Sequence, residues 1–115
     1  MFAHFAIDFI SHIWEYILVK IQRTPEFIKW FGKQTEKGKA QIDARLKNVE
    51  VHNYFGDHKP LGESLLELRW KNGRRVYYSL IMKDELTLVL LGGFKNAQQK
   101  DIKKARSILT RESDG

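Results

Sequence analysis

A chain of 115 residues makes one domain with a modest core and leaves no room for a second. With 20 Lys and Arg against 14 Asp and Glu, its formal net charge is +6 and its pI about 9.6, so it attracts polyanions such as nucleic acid, an acidic protein or anionic lipid. The absence of Cys excludes disulfides and thiolate chemistry and suits a reducing cytosol.

The opening run MFAHFAIDFISHIW is apolar, but it lacks a basic leader and a small-residue cleavage site. Asp8 and Glu15 also interrupt it, which argues against a signal peptide or a membrane span. Phe2, Phe5, Ala6, Phe9, Ile10, Ile13 and Trp14 follow helical spacing, with His4, Asp8, Ser11 and His12 elsewhere on the wheel. Residues 1–15 are therefore expected to form an amphipathic helix. It would dock on its own core, or else on a partner or a second copy of the chain, giving a homo-oligomer.

Tyr16 to Gln22, rich in β-branched and aromatic residues, reads as a strand. Thr24, Pro25 and Glu26 signal a helix start: a hydroxyl cap, proline at the first position and an acid near the positive end of the dipole. Phe27, Trp30 and Phe31 supply its buried stripe. The polar run from Gly32 to Gly38 is a break, after which Ile42, Leu46 and Val49 define a second helix. HNYFGDHKPLGES, with two Gly and a Pro, reads as a loop. Strands are expected at Leu65–Lys71, Arg74–Ile81 and Leu86–Leu91, the last ended by Gly92 and Gly93. Asn96 to Gln99 has the spacing of a capping box, opening a helix with Ile102, Ala105, Ile108 and Leu109 on its apolar side, and the tail RESDG is expected to fray. The fold class is α+β, one domain over residues 1–115. A small twisted, mainly antiparallel sheet packs against an N-terminal helical hairpin and a C-terminal helix, with the amphipathic helix as an addition.

Asn72-Gly73 offers a two-residue turn, but that register would pair Trp70 with Arg75 and drive an arginine into the apolar face. A three-residue loop, Lys71-Asn72-Gly73, with Gly73 left-handed, pairs Leu68 with Val76 and Leu66 with Tyr78 instead. The opposite face then carries Glu67, Arg69, Arg75 and Tyr77, with Arg69 directly across from Arg75. Two guanidinium groups side by side make a fork for a phosphate; alternatively this is a solvated basic face with Glu67 bridging a guanidinium.

His4, His12, His52 and His58 lack metal-ligand spacing, so neither a metal nor a cofactor is expected. No nucleophile-elbow or Walker A pattern is present. Lys100, Lys103, Lys104, Arg106 and Arg111 give the last helix a positive track suited to a polyanion.

In FGDHKPLGESLLELRW, RRVYY and LVLLGGFKNAQQKDIKKA, the sequence resembles the RelE/ParE superfamily, specifically HigB-like addiction-module killer proteins, over about Tyr16 to Leu109. The resemblance implies a small cytoplasmic α+β toxin partnered by a cognate antitoxin. Its RelE and HigB branches cut mRNA on the ribosome, and its ParE branch poisons DNA gyrase. The implied RNA cleavage needs no metal: cationic side chains stabilise charge on the phosphate while a 2′-hydroxyl attacks in line. Arg69, Arg75 and Lys95 match cationic positions of the family. Asp101 aligns with a tyrosine that some members use for proton transfer, and Tyr77 on the basic face is a second candidate, for stacking or proton transfer. His58, Lys59, Lys71, Arg74, Lys100 and Lys104 are the expected RNA contacts. Two alternatives to a ribosome-dependent endoribonuclease are a ParE-like gyrase-directed toxin and a nucleic-acid-binding or interaction module without catalysis.

Overall fold

The computed structural model describes residues 20–81 and 86–114; the expected N-terminal helix and the start of the first strand lie outside them. In chain order the elements are β1 (Lys20–Arg23), α1 (Pro25–Gly32), α2 (Glu36–His52), β2 (His58–Gly62), β3 (Leu65–Arg69), β4 (Arg74–Ile81), β5 (Leu86–Phe94), a 3₁₀ turn (Lys95–Ala97) and α3 (Gln98–Asp114). The strands form one sheet in the order β1-β5-β4-β3-β2; β1 runs parallel to β5 and the other pairs are antiparallel.

The sheet is covered on both sides, and each cover is set by an apolar stripe. On the back, Phe27 of α1 and Ile42 and Leu46 of α2 close over Leu68, Val76, Tyr78 and Val89. On the front, Ala105, Ile108 and Leu109 of α3 close over Leu65, Tyr77, Leu88, Leu90 and Leu91. The front gains an extra leucine from a bulge: Tyr77 pairs with Leu91 and Tyr78 with Val89, so Leu90 has no counterpart on β4. The Leu90 carbonyl accepts from the Thr24 hydroxyl at 2.6 Å, and Thr24 Oγ1 also caps α1 by accepting from the Phe27 N–H at 3.1 Å.

The β3–β4 hairpin has the expected three-residue loop. Arg69 pairs with Arg75, Leu68 with Val76 and Leu66 with Tyr78, and Gly73 takes φ +99°. Four expectations need correction. The segment expected as a loop before β3 contains β2, because an edge strand tolerates Pro60, whose missing N–H can face outward. Gly92 and Gly93 continue β5 instead of ending it: a side chain at the first would strike the Trp30 ring and at the second the Asp101 carboxylate, so they are strand residues kept bare for packing. A 3₁₀ turn without a side-chain cap leads into α3 in place of the Asn96 capping box. The C-terminal tail, expected to fray, is helical to Asp114, and Arg111 pairs with Glu26 of α1 (Nη2 to Oε1 3.0 Å). That hydrogen bond holds the Glu26 carboxyl down at about 2.

Candidate functional site

Two rows of residues cross the front of the sheet near the β3–β4 turn. Arg69, Arg75 and Gly93 form one row across three strands. Lys59, Glu67, Tyr77 and Leu91 form the next. Strand alternation sends both rows to the side covered by α3.

At the centre lies Glu67, which is 0 % exposed. Its Oε1 stands 3.6 Å from Arg69 Nε and 3.7 Å from Arg75 Nε, and its Oε2 accepts from Gln98 Nε2 at 2.7 Å. The two arginine contacts are ion pairs too long to be hydrogen bonds. Consequently Glu67 Oε1, Arg69 Nε, Arg75 Nε and the Tyr77 hydroxyl are buried without a hydrogen-bond partner among the described residues. Glu67 offsets the repulsion that two arginines facing each other across a ladder would otherwise suffer. Arg75 is fixed further by donating from Nη1 to the carbonyls of Arg74 (3.0 Å) and Trp70 (3.2 Å).

This geometry corrects the expectation of an open cationic face. Arg75 is 7 % and Tyr77 0 % exposed, whereas the Arg69 side chain is 39 % exposed. The cause is the apolar stripe of α3, which must bury against Tyr77 and its leucine neighbours on this same face. Its N-terminal continuation carries Gln98 onto Glu67 and Asp101 onto Gly93.

Asp101 thus leans on the sheet at the end of the arginine row. Burial pushes its carboxyl above the usual range, while Lys100 and Lys104 pull it down. Burial, with Glu67 and Asp101 nearby, also holds the Tyr77 phenol well above its ordinary value, against the opposing pull of Arg75. Lys95 is exposed and lies across the turn: its N–H donates to the Gly73 carbonyl at 2.8 Å, and its stem packs so close to Gly73 that a Cβ there would be 3.2 Å from it.

Of the residues singled out from sequence, Arg69, Arg75, Lys95, Tyr77 and Asp101 therefore gather at one end of the front face. Lys59 flanks Glu67 from the edge strand, and Lys100 and Lys104 are exposed on α3 above. Two others point elsewhere. Arg74 is buried on the back, donating to Gln41 Oε1 at 3.0 Å, and burial lowers its pKa. His58 packs beside Phe55, with ring centroids 6.1 Å apart. Lys71 stands in the turn beside Trp70 and Asn72. Sequence reading missed the Gln98–Glu67 bond, because the 3₁₀ turn that aims Gln98 has no signature in NAQQ. Among the described residues no cluster of His, Asp or Glu is placed to hold a metal ion, and no helix is long and apolar enough to cross a membrane.

No protein-family model matches the chain. Its fold is shared with RelE toxins. The free state of an Escherichia coli RelE double mutant superposes with TM-score 0.64 at 15% identity, over 84% of this chain and 98% of that one. A chain of the intact E. coli RelBE toxin-antitoxin complex gives 0.58 at 17% identity, over 66% and 95%. A chain of the Mycobacterium tuberculosis RelBE2 complex gives 0.58 at 12% identity, over 68% and 92%. The chain accordingly has the RelE fold, as the RelE/ParE resemblance implied, and these matches do not single out the HigB branch. An uncharacterized protein of Haemophilus influenzae is 36% identical over 92 residues, 76% of this chain and 90% of that one, and the chain belongs to the same family as that protein.

Proposed function

We propose that the protein is the toxin of a type II toxin-antitoxin pair, a HigB-like, metal-independent endoribonuclease that cuts mRNA on the ribosome in the cytoplasm and is neutralised by a cognate antitoxin. The observation that carries the reading is the Arg69–Arg75 pair in direct register, with Lys95 at the same end of the sheet. The RelE fold, found in toxin-antitoxin complexes, and the positive net charge agree with it. A phosphate at Arg69 meets a guanidinium whose Nε is engaged by Glu67, leaving its Nη groups to donate to anionic oxygens. Arg75 and Lys95 add positive charge behind it, so that charge developing as a 2′-hydroxyl attacks in line falls in a preorganised field. In this reading Asp101, whose pKa is raised by burial, accepts the proton, and Tyr77 lies deeper.

The burial of Arg75 and Tyr77 favours a second reading, a nucleic-acid-binding module that does not cut. One assay separates the two. Primer extension on translating ribosomes in excess chelator should map cuts that vanish when the nucleotide at the cut site is 2′-deoxy. Arg69→Ala and Lys95→Ala should each cost roughly 2–4 kcal/mol of transition-state stabilisation and relieve growth arrest, with the melting temperature kept in Lys95→Ala, whose side chain is exposed. Cutting at a 2′-deoxy position excludes the mechanism. No cutting of any translated message supports the binding module, unless gyrase-dependent DNA breaks appear, which assign a ParE-like target.

A further inference from the structure

On the back of the molecule, away from the arginine row, an open hollow of about 550 Å³ lies between α2 and the β3–β4 turn, lined by Gln41, Arg45, Asn48, Trp70, Lys71 and Asn72 among others. That volume is within the roughly 300–1,000 Å³ of small-ligand sites. We infer that this hollow is a nucleobase subsite, in which a base stacks on the Arg45 guanidinium and is read by the side-chain amides of Gln41 and Asn72.

Arg45 is the platform. Its Nε and Nη2 donate to the Phe55 carbonyl (3.2 and 3.0 Å), Nη1 to that of Arg69 (2.6 Å) and Nη2 also to that of Asp57 (2.6 Å). Its guanidinium carbon sits 4.5 Å from the centroid of the Trp70 ring. A guanidinium plane fixed by so many bonds and backed by an indole accepts a base without losing further side-chain freedom, and guanidinium planes and aromatic rings are the surfaces on which unpaired RNA bases stack.

The amides supply the reading. Arg74 occupies the acceptor of both: its Nη1 donates to Gln41 Oε1 at 3.0 Å and its backbone N–H to Asn72 Oδ1 at 2.9 Å. Each amide keeps its NH₂ group, two N–H donors, and one of the two lone pairs of its oxygen for a ligand. With the Lys71 ammonium on the rim, N–H donors outnumber the acceptors left free in the hollow, which favours a base edge of adjacent acceptors such as guanine N7 and O6 over adenine, whose N7 stands beside a donor.

The subsite extends the endoribonuclease reading and rests on it for its biological substrate. Lys71, Asn72 and Gly73 form one turn, with the hollow on one side and the stem of Lys95 against Gly73 on the other. An RNA strand held at Arg69 and Lys95 therefore has a single turn to cross before a neighbouring base reaches Arg45.

The test is a titration of ¹⁵N-labelled full-length protein with GMP, AMP and ribose 5-phosphate, followed by NMR at the side-chain amides of Gln41, Asn48 and Asn72 and the Trp70 indole N–H. Saturable shifts at these groups are expected with GMP, weaker ones with AMP and none with ribose 5-phosphate. Gln41→Ala and Asn72→Ala should each weaken GMP binding about fivefold, the weight of one hydrogen bond, with spectra otherwise intact. Absence of saturable shifts, tighter binding of AMP, or equal shifts with ribose 5-phosphate overturns the subsite. The readout needs no cleavage, so a protein that binds GMP here yet never cuts RNA retains the subsite and loses only the endoribonuclease reading.

Discussion

The two sides of this sheet are built to different standards. Behind it, Phe27, Ile42, Val76 and Tyr78 meet as an apolar layer, with the Phe27 ring 5.6 Å from Trp30 and 6.0 Å from Phe31. In front, the far end of α3 packs as tightly, but its near end covers Glu67, Arg69, Arg75 and Tyr77, each with a buried polar atom lacking a hydrogen bond among the described residues. A buried orphan of this kind costs about 1–3 kcal/mol. Behind the sheet Arg74 Nε and Thr87 Oγ1 also lack a bond among the described residues, but they lie apart, whereas four such groups meet at one end of the front.

Three substitutions test that contrast. Phe27→Ala removes a side chain buried at the centre of the back layer and should cost about 3–5 kcal/mol in chemical denaturation, with the arginine row untouched. A loss below that of the front-face variants would erase the distinction between the two sides. Glu67→Gln keeps the shape but leaves the two guanidinium groups facing each other without a counter-charge. It should cost about 2–4 kcal/mol, less than a fully buried pair because the Arg69 side chain is 39 % exposed, and the loss should shrink in Glu67→Gln/Arg69→Ala. Additive losses would show that Glu67 does not bridge the arginines.

Asp101→Asn gives the smallest change and the most diagnostic pH dependence. The folded carboxyl has its pKa raised, so the native protein binds its proton more tightly than the unfolded chain does. Its contribution is therefore fully present below the unfolded carboxylate value and is lost as pH rises through the folded one. The variant should melt slightly above the parent at neutral pH, with the gap closing in acid. A gap that widens in acid would mean that the carboxylate is held by its lysine neighbours, not disfavoured by burial.

Much of this was legible in the sequence because the strand period is unforgiving. One misplaced residue in the loop after Trp70 would have put Arg75 among Leu66 and Leu68, so the alternation alone selected the three-residue loop and the facing arginines. What escaped was set by packing between distant segments. Nothing local tells that Gly92 is bare for the Trp30 ring or that Gln98 reaches Glu67. The burial of the arginine row escaped for the same reason: the stripe of α3 was legible, but where its first turn comes to rest was not. Pro60 hid a strand because proline reads as a breaker except at the edge of a sheet.

The parallel pairing of β1 with β5 also determines when this protein can exist. Thr24, just after β1, bonds to Leu90, 66 positions further along the chain. During synthesis β1 has no strand to lie against until β5 has left the ribosome, and Arg75 has no cover until α3 has followed. The sheet closes late, by its longest-range contact, which is the slow kind of folding step. A nascent chain therefore carries an unfinished sheet until β5 and α3 have both emerged, and the arginine row of the front face is assembled only then.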